Sequence, residues 1–105
     1  TTHYASYYGG KMTPEAKVKK KVVQLLKQYK AYFFYPVTGG YGRSGVPDII
    51  VCYKGRFIGI ECKAGNNKPT ALQEKNLRDI ELADGVSMVV NEDNIASVEE
   101  TLQKL

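Results

Sequence analysis

A chain of 105 residues has room for one hydrophobic core, and 43% apolar with 25% charged residues is ordinary globular usage, which excludes disordered, collagen-like and mucin-like chains. No apolar run approaches the roughly 20 residues of a membrane-spanning helix, and residues 1–10 carry no hydrophobic signal segment, so the expectation is a soluble, unsecreted protein. The net charge of +4 is uneven: residues 1–47 hold eight basic residues and one acidic, residues 48–105 seven basic and ten acidic, and a basic half suits either a nucleic-acid partner or a lysine-rich helix face in water.

Residues 1–12 are rich in Tyr and Gly without a helical or strand period and read as a flexible arm ahead of a single domain at 13–105. Thr13-Pro14-Glu15 reads as a helix start, with Thr as N-cap, Pro in the first turn and an acid beside the helix dipole. The helix is expected to run to about Lys30, with Val18, Val22, Leu25, Leu26 and Tyr29 as its apolar stripe and Glu15 on the same side. An aromatic strand follows over 31–37, then a loop to Pro47 with glycines at 39, 40, 42 and 45. That loop lacks the Gly-Lys-Ser or Gly-Lys-Thr end of a phosphate-cradling P-loop, so no nucleotide cofactor is expected.

Two strands, 48–53 and 57–63, flank Lys54-Gly55-Arg56. A two-residue turn at Lys54-Gly55 opposes Tyr53 to Arg56 and brings Asp48 opposite Glu61. Asp48, Ile50, Cys52, Phe57, Gly59, Glu61 and Lys63 then share one face, and Ile49, Val51, Ile58, Ile60 and Cys62 the other. Cys52 and Cys62 point to opposite faces, so they are read as unpaired core residues, and with His3 remote they make no zinc site; an intracellular reducing compartment fits. Thr70 opens a second helix with Leu72, Leu77, Ile80 and Ala83 as core positions and Gly85 as its stop. A strand at 86–90 and an amphipathic helix carrying Ile95, Val98, Leu102 and Leu105 complete the order.

Asp48, Glu61 and Lys63 gather charge at the end of two apolar strands, where an unpaired buried carboxylate costs several kcal/mol. Two readings fit: a solvated strand end, or two carboxylates sharing a divalent cation of the Mg²⁺ or Mn²⁺ type. Gly45-Val46-Pro47-Asp48, the twelve residues separating Asp48 from Glu61, and Glu61-Cys62-Lys63 resemble the PD-(D/E)xK nuclease signature. Glu15 in its Thr-Pro-Glu helix start, Gly45 before Pro-Asp, and Gln73 in the second helix are similar to the virus-type replication-repair nuclease (VRR-NUC) family, over residues 13 to about 91.

The resemblance implies a restriction-endonuclease-like α/β core, a small mixed sheet of about four strands flanked by helices. It implies Asp48, Glu61 and the Cys62 main-chain carbonyl as metal ligands, Glu15 reaching the metal or its waters, Lys63 as the catalytic lysine, and Gln73 as the helix glutamine. Outside the resemblance, Glu15 is also a residue the helix dipole favours, and Thr70-x-x-Gln73 is also a capping box. Tyr41, Arg43 and Lys68 are candidate nucleic-acid contacts, with solvated loops as the alternative. The implied activity is Mg²⁺- or Mn²⁺-dependent hydrolysis of DNA phosphodiester bonds by a junction-resolving homodimer. A nicking or flap endonuclease is the alternative, as is a DNA-binding or assembly module that has kept the fold. Such an enzyme belongs in the cytoplasm, with a virus or phage protein at work in its host as one source.

Overall fold

Thr13 and Thr70, the two expected N-caps, both cap helices in a computed structural model that describes residues 7–8, 11–38 and 40–105. Thr13 Oγ1 accepts the Ala16 N–H at 3.1 Å and opens α1 (Pro14–Gln28). Thr70 Oγ1 accepts the Gln73 N–H at 3.2 Å while Gln73 Oε1 accepts the Thr70 N–H at 2.9 Å, a full capping box for α2 (Ala71–Leu82). The strands are β3 (Tyr32–Phe34), β4 (Ile49–Tyr53), β5 (Arg56–Cys62) and β6 (Val86–Val90), and the chain closes on α3 (Ala96–Lys104). Within the expected arm, β1 (Tyr7–Tyr8) pairs antiparallel with β2 (Lys11–Met12); two-residue strands are too short to leave a period in the sequence. His3 and Tyr4 lie outside the described residues.

The four-stranded sheet has the order β3-β4-β5-β6 and is mixed. β3–β4 and β4–β5 are antiparallel, while β5 and β6 are parallel with α2 as their crossover, as a parallel pair requires. The β4–β5 register opposes Tyr53 to Arg56 and Ile49 to Ile60, as the sequence predicts. Lys54 (φ 51°) and Gly55 (φ 77°) are both left-handed, which a tight hairpin turn that follows the sheet twist needs.

Alternation then fixes two faces. Ile49, Val51, Ile58, Ile60 and Cys62 are buried with Val18, Val22 and Leu26 of α1 and Val98 and Leu102 of α3 in one core. Tyr29 donates to Glu99 Oε2 at 2.7 Å and ties α1 to α3. On the opposite face α2 packs against β5 and β6, so close that a Cβ on Gly59 would lie 2.6 Å from Ile80 Cδ1.

Cys52 is exposed rather than in the core, because α2 leaves the β3–β4 half of its face open, where Tyr32 and Phe34 are also exposed. Leu72 and Ala83 are exposed, and Asn76 is buried in their place. Gly85 is not the left-handed stop of α2; Asp84 (φ 66°) is, with Gly85 N–H donating to Ile80 O and Asp84 N–H to Glu81 O. Gly85 is needed for space, since a Cβ there would sit 2.7 Å from Ile80 Cγ2.

The same bond pattern ends α1, where Lys30 (φ 59°) is left-handed, Ala31 N–H donates to Leu26 O and Lys30 N–H to Lys27 O. A side chain in that conformation carries a steric cost that glycine avoids. Lys30→Gly and Asp84→Gly are each expected to raise stability by about 0.5–1 kcal/mol, read as a higher urea midpoint at unchanged slope.

Candidate active site

The apolar strands β4 and β5 carry carboxylates at one shared end. Glu61, the penultimate residue of β5, is only 2% exposed because it lies in the central strand under α2. Asp48 immediately precedes β4, and its Oδ2 accepts the Cys62 N–H at 2.9 Å, which locks its carboxylate against the end of β5. Lys63 continues the chain, and its Nζ lies 3.4 Å from Glu61 Oε2. The second Glu61 oxygen, Oε1, is buried with no hydrogen-bond partner among the described residues. Burial, reinforced by the Asp48 charge and only partly offset by Lys63, pushes the Glu61 carboxyl up to about 7. Among the described residues Glu61 Oε1 is the one buried side-chain polar atom left bare, and a cation is one of few groups that satisfies such an acceptor.

Glu15 joins from α1. Burial and the nearby Asp48 raise its carboxyl above the usual range, against the opposing pull of Lys63 and Lys19, so the helix glutamate faces the same charge cluster. Burial, with Asp48 adding, pushes the Cys62 thiol up to about 12, which leaves the side chain a neutral core group and the main chain its only polar contribution. Among the described residues no three His, Cys, Asp or Glu side chains form a ready metal cage. Mg²⁺ is commonly held by one or two carboxylates with water and phosphate completing its shell, so Asp48 and the bare oxygen of Glu61 fit that ion.

The loop before Asp48 is clamped onto α2. Gly45 (φ 75°) has no space for a Cβ, which would lie 2.7 Å from Leu72 Cγ, and the buried Asn76 side chain donates to Ser44 O at 3.0 Å and to Leu72 O at 2.9 Å. This contact sets Gln73 beside Asp48 in a cleft of about 300 Å³, which Lys19, Tyr35 and Pro36 also line. Gln73 thus caps α2, as expected, and also lines the cleft that holds Asp48. Gln73→Glu preserves the capping acceptor while adding charge beside Asp48, so its melting temperature is expected to stay at the wild-type value while any metal-dependent cleavage falls about tenfold or more.

The three candidate nucleic-acid contacts are not gathered at this cleft. Arg43 is drawn to the far end of α2, where Nη2 meets Asp79 Oδ2 at 2.6 Å. Tyr41 is fully exposed, and Lys68 lines a separate cleft of about 520 Å³ with Asn66, Asn67 and Asn91. Sequence reasoning passed over Lys19, although a residue four positions after Glu15 shares its helix face. It also passed over Asn76, whose burial depends on a carbonyl from a distant loop.

No protein-family model matches the chain, and no curated protein matches it.

Proposed function

We propose that this chain is a metal-dependent DNA endonuclease of the PD-(D/E)xK class, similar to the VRR-NUC family, with a restriction-endonuclease-like core. The observation that carries the reading is the unpartnered Oε1 of the buried Glu61, set beside Asp48 and Lys63 at the end of paired strands. Asp48, Glu61 and the Cys62 carbonyl would hold Mg²⁺ or Mn²⁺, with Glu15 near them. A cation there would supply Lewis-acid polarisation of a phosphoryl oxygen and acidification of water.

The chain's own residues divide the remaining work. Lys63, held within 3.4 Å of Glu61, offers a positive charge and a proton where negative charge grows on the phosphoryl oxygens. Gln73 commits its carbonyl oxygen to Thr70, so the amide nitrogen is the end available to a phosphate. Without a cation the Glu61 carboxyl, pushed up to about 7, accepts a proton near neutral pH, and the Glu15 carboxyl is raised in the same direction by burial and by Asp48.

One site cuts one strand, and resolving a four-way junction takes two paired incisions, which a two-fold dimer supplies. The open β3–β4 face, where Tyr32 is 69% and Phe34 47% exposed, offers apolar surface for such a dimer. The test is cleavage of duplex, flap, single-stranded and four-way junction DNA with Mg²⁺ and with EDTA, alongside sedimentation. The expected result is EDTA-sensitive cutting that favours the junction, by a dimer. A monomer with no preference for branched DNA sinks the junction reading, and failure to cut any of the four sinks the nuclease reading.

A further inference from the structure

We infer that Lys19 and the Tyr35 ring form a second phosphate subsite of the Asp48 cleft, gripping a backbone phosphate of the bound strand other than the one hydrolysed. The inference rests on the nuclease reading only in that a nucleic-acid strand enters this cleft.

Lys19 sits one turn beyond Glu15 on α1, about 6 Å along the axis. It lines the same cleft as Asp48 and Gln73, so it faces whatever reaches those residues. Its Nζ stands 5.8 Å from the centroid of Tyr35, within the range at which an aromatic face attracts an ammonium. That contact orders a long side chain that would otherwise be free in water. Its charge is only partly offset, by the Glu15 carboxyl acting at longer range. Among the described residues no carboxylate lies within ion-pair distance of Lys19, although Glu15 is one turn away on the same face.

A half-buried lysine, held beside a ring and lining a cleft, suits an anion that arrives from solution. Lysine binds phosphate as a point charge, without the planar fork that arginine needs, so the subsite recognises the backbone and carries no base preference. The remaining walls, Pro36, Thr38 and the 45–47 stretch, are uncharged, so among the described residues that line the cleft Lys19 is the only cation. A purely structural role, with the lysine stem covering Tyr35, would require no anion at all.

The test is fluorescence-anisotropy binding of the full chain to a labelled four-way junction in EDTA, with affinity followed against salt. Each phosphate contact contributes about one to the slope of log affinity on log salt. Lys19→Met and Lys19→Gln are expected to weaken binding about five- to tenfold at about 100 mM salt and to lower the slope by about one. Lys19→Arg should restore both. Lys27→Met, at the exposed far end of α1, should change neither. If both neutral variants melt as wild type and bind with its affinity and slope, the subsite is overturned while the nuclease reading stands. If wild type binds no DNA at any salt, the subsite and the nuclease reading fall together.

Discussion

Glu61→Gln is expected to lower metal-dependent cleavage by roughly a thousandfold or more while making the protein more stable above neutral pH. Its carboxyl is pushed up to about 7 in the folded state against 4.5 for the ordinary group. The folded protein therefore holds this proton over a range where the unfolded chain has released it. The stability so gained is complete below about pH 4.5 and is lost as pH rises through about 7, on the order of 3 kcal/mol in all. Glutamine cannot ionise, so urea unfolding of the variant is expected to lack that decline between pH 5 and 8. A wild-type slope in the variant would place the titration elsewhere. Repulsion from Asp48 and Glu15 is already part of that rise, behind burial as its largest cause.

Lys63→Met is expected to act in the opposite sense on stability and the same sense on cleavage. Lys63 is 14% exposed, close in shape to Met, and the only cation within ion-pair distance of Glu61 among the described residues. Without it, Glu61 loses its counter-charge in a buried site. The variant keeps Glu61 protonated instead, so little is lost below about pH 7 and the cost grows by about 1.4 kcal/mol per pH unit above it, towards the roughly 3–5 kcal/mol of a broken buried pair. Cleavage should fall about a hundredfold or more, since charge growing on the phosphoryl oxygens is no longer offset. The double variant Glu61→Gln, Lys63→Met should recover most of the stability and none of the cleavage. Additive losses in that cycle would mean that the 3.4 Å contact contributes nothing.

The site was legible in the sequence where local rules decide it. The turn at Lys54-Gly55 sets the register that brings Asp48 to Glu61, and Thr13 and Thr70 set the helix starts that place Glu15 and Gln73. These are short-range chemistries with few competing outcomes. Alternation also sorted the β4 and β5 side chains between faces, but it carries no information on how far a helix covers a face. Cys52 was therefore misplaced in the core, because α2 packs on β5 and β6 and stops short of β3.

Tertiary contacts decided the rest. Asn76 is buried because it satisfies Ser44 O, thirty-two residues distant. Leu72 reads as core by its spacing, yet it remains 47% exposed where it meets Gly45. Asp84 takes the left-handed stop because Gly85 is committed to the tight space beside Ile80 and the Phe57 carbonyl. Lys19 was hidden among the lysines of α1, and only the cleft distinguishes it from its solvated neighbours.

The central claim is that Asp48 and the bare oxygen of Glu61 hold a divalent cation, and titration calorimetry of Mn²⁺ into the protein at pH 8 tests it without requiring the right DNA substrate. Wild type is expected to bind the ion, and Asp48→Asn and Glu61→Gln, each folded by thermal melting, are expected to bind it about tenfold more weakly or not at all. Wild type that takes up no Mn²⁺, or variants that bind it as wild type does, would contradict the claim.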